Sequence, residues 1–94
     1  MLYMTIEELL EDVAKRFKRI RKTKGLSQLD LSKSSNVSYG SIKRFERTGE
    51  ISLYNLTKLC VALDITENIT SLFTNVEFNS IDEVIKYEKC SKKS

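Results

Sequence analysis

Residues 26–49, LSQLDLSKSSNVSYGSIKRFERTG, constrain this chain more than any other stretch, because they read as two short helices joined by a turn of a few residues. A turn of a few residues can hold two such helices at a fixed steep angle. Ser27 can cap the first of them, which ends near residues 34–36, with Leu29 or Leu31 inward and Gln28, Asp30 and Lys33 outward. Asn36 is among the few non-glycine residues that tolerate the left-handed backbone such a turn requires. Ser38 can cap the second, from Tyr39 to about Thr48, and Gly49 ends it. Ile42 and Phe45 face inward in this second helix, which leaves Tyr39, Lys43, Arg44 and Arg47 outward.

The rest of the chain carries the same punctuation. Thr5 and Glu8 form a capping box for a first helix, whose apolar stripe is Ile6, Leu9, Leu10, Val13, Ala14, Phe17 and Ile20. Acids at its start and bases at its end suit the helix dipole, and Gly25 is placed to stop it. Ser52 opens a fourth helix with Leu53, Leu56, Leu59, Cys60 and Leu63 as its stripe. Thr66 starts a short fifth one containing Ile69, Leu72 and Phe73. Residues 74–79 read as a connection, and Ser80 with Glu83 opens a last helix bearing Ile81, Val84 and Ile85. With no proline and three glycines in 94 residues, little interrupts helix formation, and the predicted class is all-α.

Charge is distributed unevenly. Residues 15–49 hold eleven Lys/Arg against the acids Asp30 and Glu46, a net +9, whereas the remaining five bases and eleven acids give −6. A basic block in a mildly acidic chain predicts one surface that faces a polyanion. Solvated faces of ordinary helices are the alternative, and the block's coincidence with the two-helix segment weakens it. With no histidine and only Cys60 and Cys90, no Cys/His metal site or Cys–His nucleophile pair can be assembled, and no metal or cofactor is expected. Cys60 falls on an apolar stripe as a small core hydrophobe, and Cys90 reads as a free thiol suited to a reducing cytoplasm. No apolar run spans a membrane, and the acids near the start argue against an export signal. A paired-carboxylate cleft or phosphate-cradling glycine loop is missing as well, so an enzyme is not expected.

With these helices placed, the chain resembles the Cro/repressor-type helix-turn-helix family, also called the xenobiotic-response-element (XRE) type. The resemblance rests on Gly25-Leu26-Ser27-Gln28, Leu31-Ser32, Asn36-Val37-Ser38, Ile42, Glu46 and Gly49, followed by Ser52-Leu53, Leu56 and Leu59. Ser32 stands where the family has alanine, Asn36 where it has a turn glycine, and Gly40 where a side chain is usual. Ser35 replaces an apolar turn residue, which leads one to expect loose packing beneath the turn.

The fold this implies is a five-helix lambda-repressor-like DNA-binding domain over residues 5–73, with the helix-turn-helix proper at 27–48. A short C-terminal extension, 74–94, would serve dimerisation or partner binding. The family's base-reading positions fall on Tyr39, Gly40, Lys43 and Arg44. Arg44 is the leading reader, since its guanidinium fork matches O6 and N7 of guanine. Tyr39 either contacts a thymine methyl or a phosphate, or folds its ring onto the helix, and Gly40 would let the backbone approach DNA closely. Phosphate contacts are expected from Ser27, Gln28, Ser41, Arg47 and Tyr54, with Gln28 also buttressing the reading helix. Arg21 and Glu46 match a structural ion pair between the first and third helices.

The expected function is that of a cytoplasmic, sequence-specific DNA-binding regulator, repressing transcription as a homodimer on a palindromic operator. Half-sites roughly 34 Å apart would suit two such domains. A dimer interface is expected at Ile65, Ile69, Leu72 and Phe73, assisted by Val76, Phe78, Ile81, Val84 and Ile85, because these large apolar residues exceed what one small core hides. The resemblance also offers an alternative, a HipB-like antitoxin that binds a kinase-like toxin protein and autoregulates its operon. The expected partner in both readings is double-stranded DNA, with no small-molecule ligand and no membrane.

Overall fold

Side-chain hydroxyls start four of the five helices among the described residues. A computed structural model describes residues 4–74, comprising α1 (Ile6–Thr23), α2 (Gln28–Ser35), α3 (Tyr39–Thr48), α4 (Leu53–Ala62) and α5 (Glu67–Thr70). Thr5 Oγ1 accepts from the Glu8 amide at 3.1 Å while Glu8 Oε1 accepts from the Thr5 amide at 2.9 Å, closing the capping box. Ser27 and Asp30 form a second box at 3.0 and 3.3 Å, and Ser38 and Ser52 cap α3 and α4 at 3.1 and 3.0 Å. Those bonds hold both box carboxyls below the usual carboxylate range: the backbone bond with Thr5 dominates for Glu8, the side-chain bond with Ser27 for Asp30. Their support for the helix starts is therefore present near neutrality and is lost as pH falls through the lowered values. Thr66, at the start of α5, makes no such bond, and that helix is a single turn.

The turn between α2 and α3 is tied down by polar side chains. Asn36 sits left-handed at φ 62°, ψ 25°. Ser32 Oγ donates to the Val37 carbonyl at 2.6 Å, and Ser35 Oγ accepts from the Val37 amide at 3.1 Å. Ser35 is buried, and it borders a cleft with Ser34, Tyr54, Thr57 and Lys58 beside the turn, where loose packing was expected. A hydroxyl in place of an apolar group satisfies a backbone amide that would otherwise be stranded.

Fully buried Leu31, Ile42, Phe45, Leu59 and Leu63 form the core, with Ala14, Phe17, Val37, Cys60 and Ile65 around them. Phe17 of α1 meets Phe45 of α3 edge to face, with ring centroids 5.1 Å apart. α3 packs against α1 and α2, and α4 packs against α2 and α5. Two stripe assignments change and one open alternative is resolved. Ile6, Leu9 and Val13 of α1 are exposed, because the inward face of that helix runs from Leu10 through Ala14, Phe17 and Arg21, beyond Ile6 and to one side of Leu9 and Val13. Leu53 is exposed at the first turn of α4, and in α2 it is Leu31, not Leu29, that turns inward. Burial pushes the Cys60 thiol up, with the nearby Glu67 charge adding to it, as befits a core thiol.

Ile65, expected at a subunit contact, belongs to the core at 7% exposure, since the left-handed Asp64 (φ 59°) folds the chain back after α4 and drives it inward. Ile69 is partly buried against the same core. Leu72 and Phe73 lie beyond α5 and are exposed, Phe73 to 82%. The expectations placed on Val76, Phe78, Ile81, Val84, Ile85, Cys90 and most of the 74–94 extension lie outside the described residues. No helix among the described residues is long and apolar enough to cross a membrane.

Candidate nucleic-acid interface

One carboxylate fixes the pose of α3. Arg21 Nε donates to Glu46 Oε2 at 2.7 Å and Nη2 donates to Oε1 at 2.8 Å, a two-pronged pair with side chains 6% and 3% exposed. The remaining Arg21 nitrogen, Nη1, donates to the Leu26 carbonyl at 2.7 Å. Gln28 Nε2 adds a bond to Glu46 Oε1 at 2.9 Å, so its side chain turns toward α3 and not simply outward. Three helices therefore meet at Glu46. Hydrogen bonding to Glu46 raises the Arg21 pKa and burial opposes that rise, so the guanidinium stays charged. Such a pair gives up much of its Coulomb gain to desolvation, and its effect is mainly on geometry: it fixes the rotation and tilt of α3.

With Ile42 and Phe45 buried and Glu46 held, the remaining face of α3 turns to solvent. Tyr39, Gly40, Lys43, Arg44 and Arg47 are all exposed on it. Lys43 Nζ lies 5.1 Å from the centre of the Tyr39 ring, a cation–π contact that braces both side chains at the start of the helix. A Cβ added at Gly40 would meet nothing within 4 Å, so the helix surface is bare there. Arg44 forms an ion pair with Glu50, a residue the sequence reasoning did not single out. Six positions separate the two across the end of the helix, outside any helical spacing rule, so no periodicity could have found the pair.

Apart from Arg47, on the free face of α3, the polar residues assigned to phosphate divide into three places. Ser27, Gln28 and Tyr39 line one cleft with Lys18 and Lys22 from the basic face of α1. Ser41 and Arg44 line a second, with Glu50, Ser52 and Asn55 at the start of α4. The Ser41 hydroxyl accepts from Ser38 Oγ at 2.7 Å and is already engaged with the cap. Tyr54 stands apart, 74% exposed, with Lys58 Nζ 5.3 Å from its ring centre. Lys58 also donates to the Asn36 carbonyl at 3.3 Å, which ties α4 to the turn. Lys18, Lys22 and Lys58 had counted only as overall charge. What places them beside the others is the crossing of helices distant in sequence.

A polar helix face carrying three bases, projected from a short-turned helix pair, is a device for entering the major groove. The model of the helix-turn-helix family matches residues 17–69, more than half of the chain, and the chain belongs to that XRE-type family of DNA-binding transcriptional regulators. The matched span covers the end of α1 through α5 and holds every residue of the candidate interface. The all-helical arrangement of the described residues is lambda-repressor-like. Among curated proteins, none matches the chain.

Proposed function

We propose that this protein represses transcription by binding a palindromic operator as a homodimer, with α3 laid in the major groove. The observation that carries the reading is the division of α3 into a locked face, Ile42, Phe45 and Glu46, and a free face, Tyr39, Lys43, Arg44 and Arg47. In this reading Arg44 reads a guanine, Lys43 and Tyr39 contact bases or adjacent phosphates, and Gly40 lets the backbone of α3 approach the DNA closely. Ser27, Gln28, Ser41, Arg47 and Tyr54 hold phosphates, joined by Lys18, Lys22 and Lys58. Binding measured on an operator selected from random-sequence DNA tests it. Arg44→Ala is expected to cost roughly 1–3 kcal/mol on the selected site and to relax preference at one base position. Equal loss on selected and random DNA would reassign Arg44 to phosphate. A flat plot of log affinity against log salt would remove the DNA reading, because neutralised phosphates must release counterions.

Support for the dimer comes from apolar surface left bare. Leu72 and Phe73 are exposed beside a groove to which Val13, Ile69 and Leu72 contribute. Phe73 also holds a left-handed φ of 65°, costly for a bulky residue. A second copy of the chain is the occupant we assign to this face, since two-fold pairing through it gives each half-site a reading helix. Sedimentation of the full chain is expected to show a dimer at micromolar concentration, and Leu72→Asp with Phe73→Asp a helical monomer. A wild-type monomer that binds a palindromic site without cooperativity would overturn the assignment and favour capture of another protein, such as a toxin.

A further inference from the structure

We propose that Glu50 acts as a positioning residue for Arg44: it holds the guanidinium in the free protein and has to release it before Arg44 engages DNA. The proposal rests on the DNA-binding reading above. Glu50 is set in place by the turn that ends α3. Gly49 is left-handed at φ 82° and pressed against Leu10. The Glu50 amide donates to Thr48 Oγ1 at 3.1 Å, and the Thr48 hydroxyl donates to the Arg44 carbonyl at 2.8 Å. The backbone at both ends of the ion pair thus belongs to one hydrogen-bonded turn, which keeps the acid within reach of its base.

The surroundings give the pairing its meaning. The cleft that holds the two side chains is completed by Ser41 and by Ser52 and Asn55, where α4 begins. A guanidinium beside a helix N-terminus is a setting suited to a phosphate oxygen. In the free protein a carboxylate oxygen of Glu50 fills that role. Incoming DNA has to displace this internal anion or pull Arg44 away from it, and Glu50 also repels the approaching phosphates. The pair is open to solvent, with side chains 62% and 54% exposed, so the restraint is modest and is screened by salt.

Glu50→Gln keeps the shape and removes the charge. Binding to the selected operator is measured for wild type, Glu50→Gln, Arg44→Ala and the double variant, each at several salt concentrations. Glu50→Gln is expected to bind roughly two- to fivefold more tightly, the range an exposed ion pair accounts for, with the gain shrinking as salt rises. In the Arg44→Ala background the same change is expected to give little or no gain, which separates restraint of Arg44 from simple loss of a negative charge. Wild-type binding with no gain in Glu50→Gln, weaker binding, or an equal gain in both backgrounds would each overturn the restraint while leaving the DNA reading intact. If wild type binds no DNA sequence, both fall together.

Discussion

Glu46→Ala is expected to cost about 3–5 kcal/mol of folding stability, because it strands a buried charge. The Arg21 residue is 5% exposed, and with Glu46 gone its one remaining partner here is the Leu26 carbonyl. Gln28 loses its acceptor in the same step. In a domain of this size about 1 kcal/mol moves the melting temperature by roughly 4–8 °C, so thermal unfolding followed by circular dichroism should show a fall well beyond 10 °C. A fall of only a few degrees would mean that water reaches Arg21 in solution. The double change Arg21→Met with Glu46→Leu separates burial from pairing. An apolar pair of similar volume is expected to recover most of the loss, since removing both charges removes the desolvation cost as well.

Gly49→Ala is expected to be nearly as damaging, for two independent reasons. Gly49 occupies φ 82°, where a side chain costs roughly 1–2 kcal/mol. Its new Cβ would also fall 2.4 Å from the backbone oxygen of Leu10 and 2.6 Å from the carbonyl carbon, and backbone cannot move aside as a flexible side chain can. Overpacking of that kind adds about 1–3 kcal/mol. Gly25 is the internal control: it is left-handed too, at φ 78°, but an added Cβ there meets nothing within 4 Å. Gly25→Ala should show the conformational cost alone, and urea titration of the two variants gives the difference. Equal losses would show that α1 is free to retreat from Gly49.

Much of this architecture is legible in the sequence, and the reasons are local. Ser27, Ser38 and Ser52 announce helix starts because a hydroxyl before a helix satisfies amides within three residues of itself. Asn36 and Gly49 announce stops because few residues tolerate a left-handed backbone. Ile42 and Phe45 follow from helical period. What the sequence hides depends on partners across the fold. Ile6, Leu9 and Val13 keep a proper stripe although the packed face of α1 begins at Leu10 and passes to one side of Leu9 and Val13. Ile65 looks like surplus apolar surface until Asp64 turns it inward. Glu50 is an ordinary acid until the end of α3 swings it beside Arg44. Arg21, Gln28 and Glu46 are an intermediate case: each stands at a position the family resemblance marks, but only the packed helices show all three sharing one carboxylate.

That shared carboxylate has a bearing on how such a protein changes over generations. The bonds that orient α3 end on a side chain belonging to its inner flank, and the groups free to meet DNA project from the outer one. Within α3 no residue belongs to both sets. Vocabulary and grammar are thus kept on opposite sides of a single ten-residue helix. In the proposed binding mode, substitutions at positions 39, 40, 43 and 44 alter what is read, while the posture of the reader is kept by atoms they do not touch. A lineage carrying this scaffold can drift from one target to another in single steps, each intermediate remaining folded.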